Sequence, residues 1–167
     1  MRALGLLAAP LATIAAPAAA QGTAPALAAE AASLGAAYGH ALAALAGWGL
    51  LMLVLTVLSV IGSPRARTPG GLPVRDYSDP FYRRSRAFAN AVEASGSFLA
   101  VTVAAILVGA SPFWVNLLAS VFLVARIAAA AVHIGTTIEA LRSAFWSVAV
   151  LCTIALGVMA LLGAFAL

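Results

Sequence analysis

The 167-residue sequence contains no lysine, a single cysteine and little charge of either sign: nine arginines, five carboxylates and two histidines, with charged residues at 8%. A lone cysteine, Cys152, excludes an intrachain disulfide and a multi-thiolate metal site. Soluble domains carry about a quarter charged residues, so this chain cannot cover a water-facing surface. With 64% apolar residues and a mean hydropathy of +1.08, it reads as an integral membrane protein. A net charge of +4 would point to nucleic acid in a soluble protein. Here the cations sort membrane topology instead, and no nucleic-acid partner is expected.

Residues 1–20 have the form of a secretory signal: Arg2, an apolar stretch, then Ala18-Ala19-Ala20 before Gln21. Residues 21–35 make a short Ala-rich lead-in, placed on the outer side. Residues 36–167 hold four apolar runs, at about 36–62, 87–110, 113–134 and 143–167. At 1.5 Å per residue the first covers roughly 40 Å, enough to cross a hydrocarbon core of about 30 Å with some tilt. Backbone groups find no water in that core, so the runs are helices. The expected fold is all-α, an up-and-down four-helix membrane bundle.

Six of the nine arginines fall between Arg65 and Arg86, in a stretch broken by Pro64, Pro69, Pro73 and Pro80. That loop and the third connection, which leads into Arg142, are therefore expected on the cytoplasmic side. The location expected is a bacterial inner membrane, crossed several times. Trp48, Trp114, Trp146, Tyr77 and Tyr82 suit the membrane interface.

Ionisable groups inside a membrane run cost several kcal/mol unless something there uses them. In the second run Arg86, Asn90, Glu93 and Ser97, with Arg83 one turn earlier, fall within about 80° of one helix face. The third run adds Arg126 and His133, seven residues apart, and Arg126 needs a counter-charge, with Glu93 or Glu139 the candidates. Arg142 opens the fourth run, where its charge adds to the positive helix end and favours an anion. Two histidines far apart in the sequence do not make a metal site, and none is expected. Gly35 and Gly39 form one small-xxx-small pair, a packing signal.

Four membrane helices, a long basic first loop and Arg86-x3-Asn90-x2-Glu93 resemble the MAPEG family, the membrane-associated proteins of eicosanoid and glutathione metabolism. Tyr82 through Glu93 carries most of the likeness. Ala125-Arg126-Ile127, followed by Arg142 sixteen residues on, is similar in spacing to microsomal glutathione transferases. The resemblance implies a homotrimer binding glutathione as co-substrate, and a lipophilic small molecule arriving through membrane lipid. By that likeness Arg86, Asn90 and Glu93 bind the thiol substrate, and Arg142, from a neighbouring subunit, is catalytic by stabilising the thiolate; Arg126 and His133, on one face of the third run, are read as further substrate-binding residues of the same site. Three positions depart from the family pattern: Phe88 stands for a glutamine, Ala94 for an aromatic and His133 for a tyrosine. The implied activity is a thiol transferase or peroxidase acting on lipophilic electrophiles. The alternative is a non-enzymatic membrane scaffold or lipid-binding protein whose polar stripe serves oligomer packing.

Overall fold

The structure is a computed structural model that describes residues 18–166, with side chains described from Thr23 onward. The expected signal segment, 1–20, lies outside the described residues except for its last three. Four helices account for the order of elements: α1 (Ala18–Val60), α2 (Pro80–Leu107), α3 (Pro112–Gly135) and α4 (Glu139–Ala166). Each is long and apolar enough to cross a membrane, and the described residues contain no strand beyond a single bridge, Arg67 to Pro73. The chain divides into two units, residues 1–33 and 34–167. In the first, Ser33 Oγ donates to the Glu30 carbonyl at 2.7 Å.

Three boundaries differ most from the sequence reading: α1 is helical from Ala18, through the expected lead-in at 21–35, and not from about 36. α2 begins at Pro80, not Ala87, because Asp79 caps it: its carboxylate accepts from Phe81 N, and Pro80 occupies the first turn. α4 begins at Glu139, which places Arg142 inside its first turn. Gly109, at φ 67°, ends α2 in the left-handed conformation that glycine adopts without strain.

Contacts between helix ends fix the topology. Tyr38 Oη donates to the Ala110 carbonyl at 2.6 Å, which joins the first half of α1 to the end of α2. The start of α2 returns to the end of α1: Arg84 Nε donates to Leu58 O at 3.1 Å and Nη2 to Ile61 O at 2.7 Å. Arg83 does the same for α3, with Nε on Ile134 O at 3.0 Å, while its Nη1 reaches Tyr77 O at 2.8 Å. Apart from that of Tyr77, which lies in the loop before α2, these carbonyls belong to helix ends, where no further turn supplies an N–H. Arg83 is thus taken up by carbonyls and does not extend the polar stripe as expected.

α1 bends at Tyr38, whose φ of −112° and ψ of 23° are not helical. Asn116 is the cause. Its carboxamide accepts from Ala41 N at 2.9 Å and donates to Ala37 O at 2.8 Å, the two groups that an unbroken helix would pair with each other. The core beside it is aromatic: Phe98 and Phe122 stack at 3.6 Å between ring centroids, with Trp48 edge-on to both. Trp48 is buried and donates to Ser95 Oγ at 3.1 Å, so it is a core residue and not the interfacial anchor expected. Trp114 is exposed. A Cβ at Gly35 or Gly39 would meet nothing within 4 Å; the close approaches are at Gly163, against Val108, Gly47, against Leu123, and Gly157, against Val101.

Candidate functional site

The start of α2, the end of α3 and the start of α4 enclose a cavity of about 330 Å³. Five of the six residues singled out from the sequence line it: Arg86 and Asn90 one turn apart on α2, Glu93 a turn further on, His133 from α3 and Arg142 from α4. All five converge within a single protomer. Tyr77, Ser143 and Trp146 complete the wall, and no pattern in the sequence marked them as site residues. Tyr77 and Trp146 were expected at the interface, but Tyr77 lies under the Arg142 guanidinium, 4.3 Å from ring centroid to Cζ.

Arg86 and Glu93 face each other across two turns of α2. Arg86 Nη1 meets Glu93 Oε1 at 2.8 Å, and Nη2 approaches Oε2 at 3.5 Å. This is the one ion pair among the described residues. Both side chains remain partly open to solvent, so the pair can exchange partners with an incoming ligand without a large desolvation penalty. Among the described residues Arg142 has no carboxylate in salt-bridge range, and it adds a positive charge to the wall. Glu139 in the first turn of α4 complements the helix dipole.

Arg126 stands elsewhere. It is 4% exposed and lines a second cavity, also about 330 Å³, with Phe122, Ala94, Ala149, Val150 and Ile154. Neither Glu93 nor Glu139 forms the ion pair with it that its depth led us to expect. Its Nη2 donates to the Asn90 carbonyl at 2.8 Å, and its guanidinium lies 5.4 Å from the Trp48 ring centroid. Arg126 Nε and His133 Nε2 are both buried without a hydrogen-bond partner. Both residues line a third cavity of about 10 Å³, room for one water.

The two larger cavities share Asn90, Glu93 and Trp146. One is walled by charge and the other mainly by hydrocarbon, with those three residues between them.

Outside the membrane-spanning helices, Asp79 is buried and accepts from Arg65 N and Phe81 N, each at 2.9 Å. These bonds, the Arg65 one foremost, hold its carboxyl below the ordinary 3.8. Asp76 is likewise held low by the Ser78 hydroxyl and N–H. The two carboxylates pin the loop that carries Tyr77 into the cavity.

A search of curated proteins gave no match. The family model of the MAPEG family matches residues 38–162, a stretch that holds most of α1, all of α2 and α3 and every residue of both large cavities. The chain belongs to the MAPEG family, as a multi-pass membrane protein.

Proposed function

We propose that this protein is a thiol transferase of the glutathione type, which binds a small anionic thiol in the charged cavity and delivers its sulfur to a lipophilic electrophile in the apolar cavity beside it. The observation that carries this reading is the convergence of Arg86, Asn90, Glu93, His133 and Arg142 on one cavity that shares a wall with an apolar one.

Glutathione brings two carboxylates and one ammonium. Arginine forks suit the former, and a carboxylate such as Glu93 suits the latter. A thiol with a pKa near 8.5 is only a few per cent ionised at neutral pH, and a neighbouring guanidinium raises the thiolate fraction. Arg142 has no carboxylate partner among the described residues and is the group we assign to that role. The thiol proton leaves first, to water at the solvent-open side of the cavity. The sulfur lone pair then forms an S–C bond as the electrophile's leaving group departs with its electron pair. With a lipid hydroperoxide as oxidant the same site would be a peroxidase: the O–O bond breaks to give alcohol and water while two thiols, the bound one and a second, are oxidised to a disulfide. In this reading the protein acts as a homotrimer in a bacterial inner membrane, with the first and third loops cytoplasmic.

A second reading, a membrane scaffold, draws on the Arg86–Glu93 ion pair, which already neutralises two of the polar residues. Thermal unfolding of the purified protein separates the two. Millimolar glutathione should raise the midpoint, since a ligand that binds only the folded state stabilises it by mass action. An unchanged midpoint, with no conjugation of a lipophilic electrophile, would leave the scaffold.

A further inference from the structure

Arg126 Nε and His133 Nε2 are buried polar atoms that no protein group satisfies, a costly state until something bonds them. Both residues line the cavity of about 10 Å³ that lies among Trp48, Leu55, Asn90 and the alanines at 87, 91, 129 and 130. That volume suits one water. The guanidinium beside it is held from two other sides: Nη2 donates to the Asn90 carbonyl at 2.8 Å, and Cζ lies 5.4 Å from the Trp48 ring centroid. Its Nε can only donate, because a guanidinium has no acceptor.

A water that accepts from Nε must in turn give its hydrogens to an acceptor. The Trp48 indole cannot serve, since it is a donor and is engaged with Ser95 Oγ, and the Asn90 carbonyl already takes a bond from Arg126. A bare His133 Nε2 is the acceptor that remains. It also turns a lone pair, and not an N–H dipole, towards a fixed cation. In neutral imidazole one nitrogen accepts and the other donates, and the bond made at one decides which. With Nε2 accepting, the hydrogen sits on Nδ1. His133 lines the charged cavity as well, and with Nε2 the buried atom, Nδ1 is the nitrogen left for that side. The ring stands there 5.8 Å from that of Tyr77, centroid to centroid.

We propose that one buried water, accepting from Arg126 Nε and donating to His133 Nε2, holds His133 in its Nδ1–H form and so presents an uncharged N–H donor to the charged cavity. Arg126 is then a positioning residue: it does not line that cavity and acts on it through the water and His133. The water and the proton position stand without any thiol chemistry. Only the further step, that this N–H donates to an anionic group of the thiol substrate, rests on the preceding reading.

The chain has two histidines, His40 and His133, so nitrogen NMR of the full-length protein in lipid nanodiscs, isotope-labelled at histidine alone, reads the proton position directly. His40→Gln assigns the signals. In mildly alkaline buffer wild-type His133 should carry its hydrogen on Nδ1 and show a bare, hydrogen-bonded Nε2, the reverse of the form that free histidine favours. Arg126→Met, which removes the donor to the water, should shift His133 towards the Nε2–H form. Ala130→Val fills the small cavity and leaves every charge in place; it serves if Arg126→Met does not fold, and its Nε2 signal should move to that of a nitrogen without a hydrogen bond. A hydrogen on Nε2 in wild type would overturn the proposal, as would a His133 spectrum that neither variant changes. Millimolar glutathione should shift the Nδ1–H signal. If it raises the thermal midpoint and leaves that signal in place, the donation to the substrate is wrong. If it does neither, while His133 keeps its hydrogen on Nδ1, the thiol transferase reading falls and the water bridge stands.

Discussion

Arg83 and Arg84 sit beside Arg86 in sequence, but the two regions they serve have little in common. The first pair lies against the rim of the bundle and is consumed there, donating to carbonyls at the ends of α3 and α1. Arg86 faces the charged cavity, with Arg142 across it, where helix-end carbonyls play no part. What separates them is supply. A helix end presents acceptors that no further turn will satisfy, and a long cation within reach of them closes the fold. A cation beyond their reach must find a carboxylate, an aromatic face or a ligand. A cluster of arginines in a sequence is therefore not a count of ligand-binding groups.

The sharpest way to break this comparison is to remove one arginine from each region. Arg142→Ala should leave folding and assembly unchanged and lower the rate of thiol conjugation by about a hundredfold or more, the usual loss when one charge-stabilising group is taken from a reaction centre. The rate should be measured at saturating thiol, so that weaker binding does not pass for slower chemistry. Arg84→Ala should do the reverse. Two charge-assisted hydrogen bonds to carbonyls, each worth about 1 kcal/mol or more, are lost from the end of α1. The thermal midpoint should fall by several degrees, while the rate per folded molecule stays near wild type. If Arg142→Ala unfolded the protein and Arg84→Ala silenced a folded one, the division of labour drawn here would be inverted.

The fold was largely legible because membrane helices announce themselves by length and apolarity, and four such runs appear in the sequence. The start of α2 was not. Arg83 and Arg84 looked like loop residues, since what makes them tolerable in a helix is supplied by the ends of α3 and α1, far away in sequence. The Asp79-Pro80 pair was a local cap signal that could have been read. Helical periodicity correctly put Arg86, Asn90 and Glu93 on one face and wrongly gave Arg83 to the same purpose, because an angle around a helix says nothing about which carbonyl lies within reach. Arg126 and His133 share a face, but depth divides them: His133 reaches the charged cavity and Arg126 the apolar one. Trp48 carried no mark that distinguishes a core tryptophan from an interfacial one. Nor did Tyr77, whose place under Arg142 depends on a loop and two helices meeting.

That loop offers the smallest test, and it probes how the rim supports the cavity. Asp79 holds Arg65 N and Phe81 N at once, tying the first part of the loop to the start of α2, two residues from Tyr77. Its carboxyl is held below its ordinary 3.8, so the folded state favours the charged form. The stability this provides is complete above that value and is lost only as pH falls through the still lower folded-state value. The contribution of this group to the wild-type thermal midpoint should thus be full and independent of pH between pH 5 and pH 7. Asp79→Asn keeps an acceptor for one N–H but surrenders the charge, and should lower the neutral-pH midpoint by a few degrees. It should also lose the Asp79 share of the decline below pH 4. A midpoint equal to wild type at pH 7, with the acid decline unaltered, would mean that the loop is held by Asp76 and Ser78 alone, and that Tyr77 reaches Arg142 without help from the cap of α2.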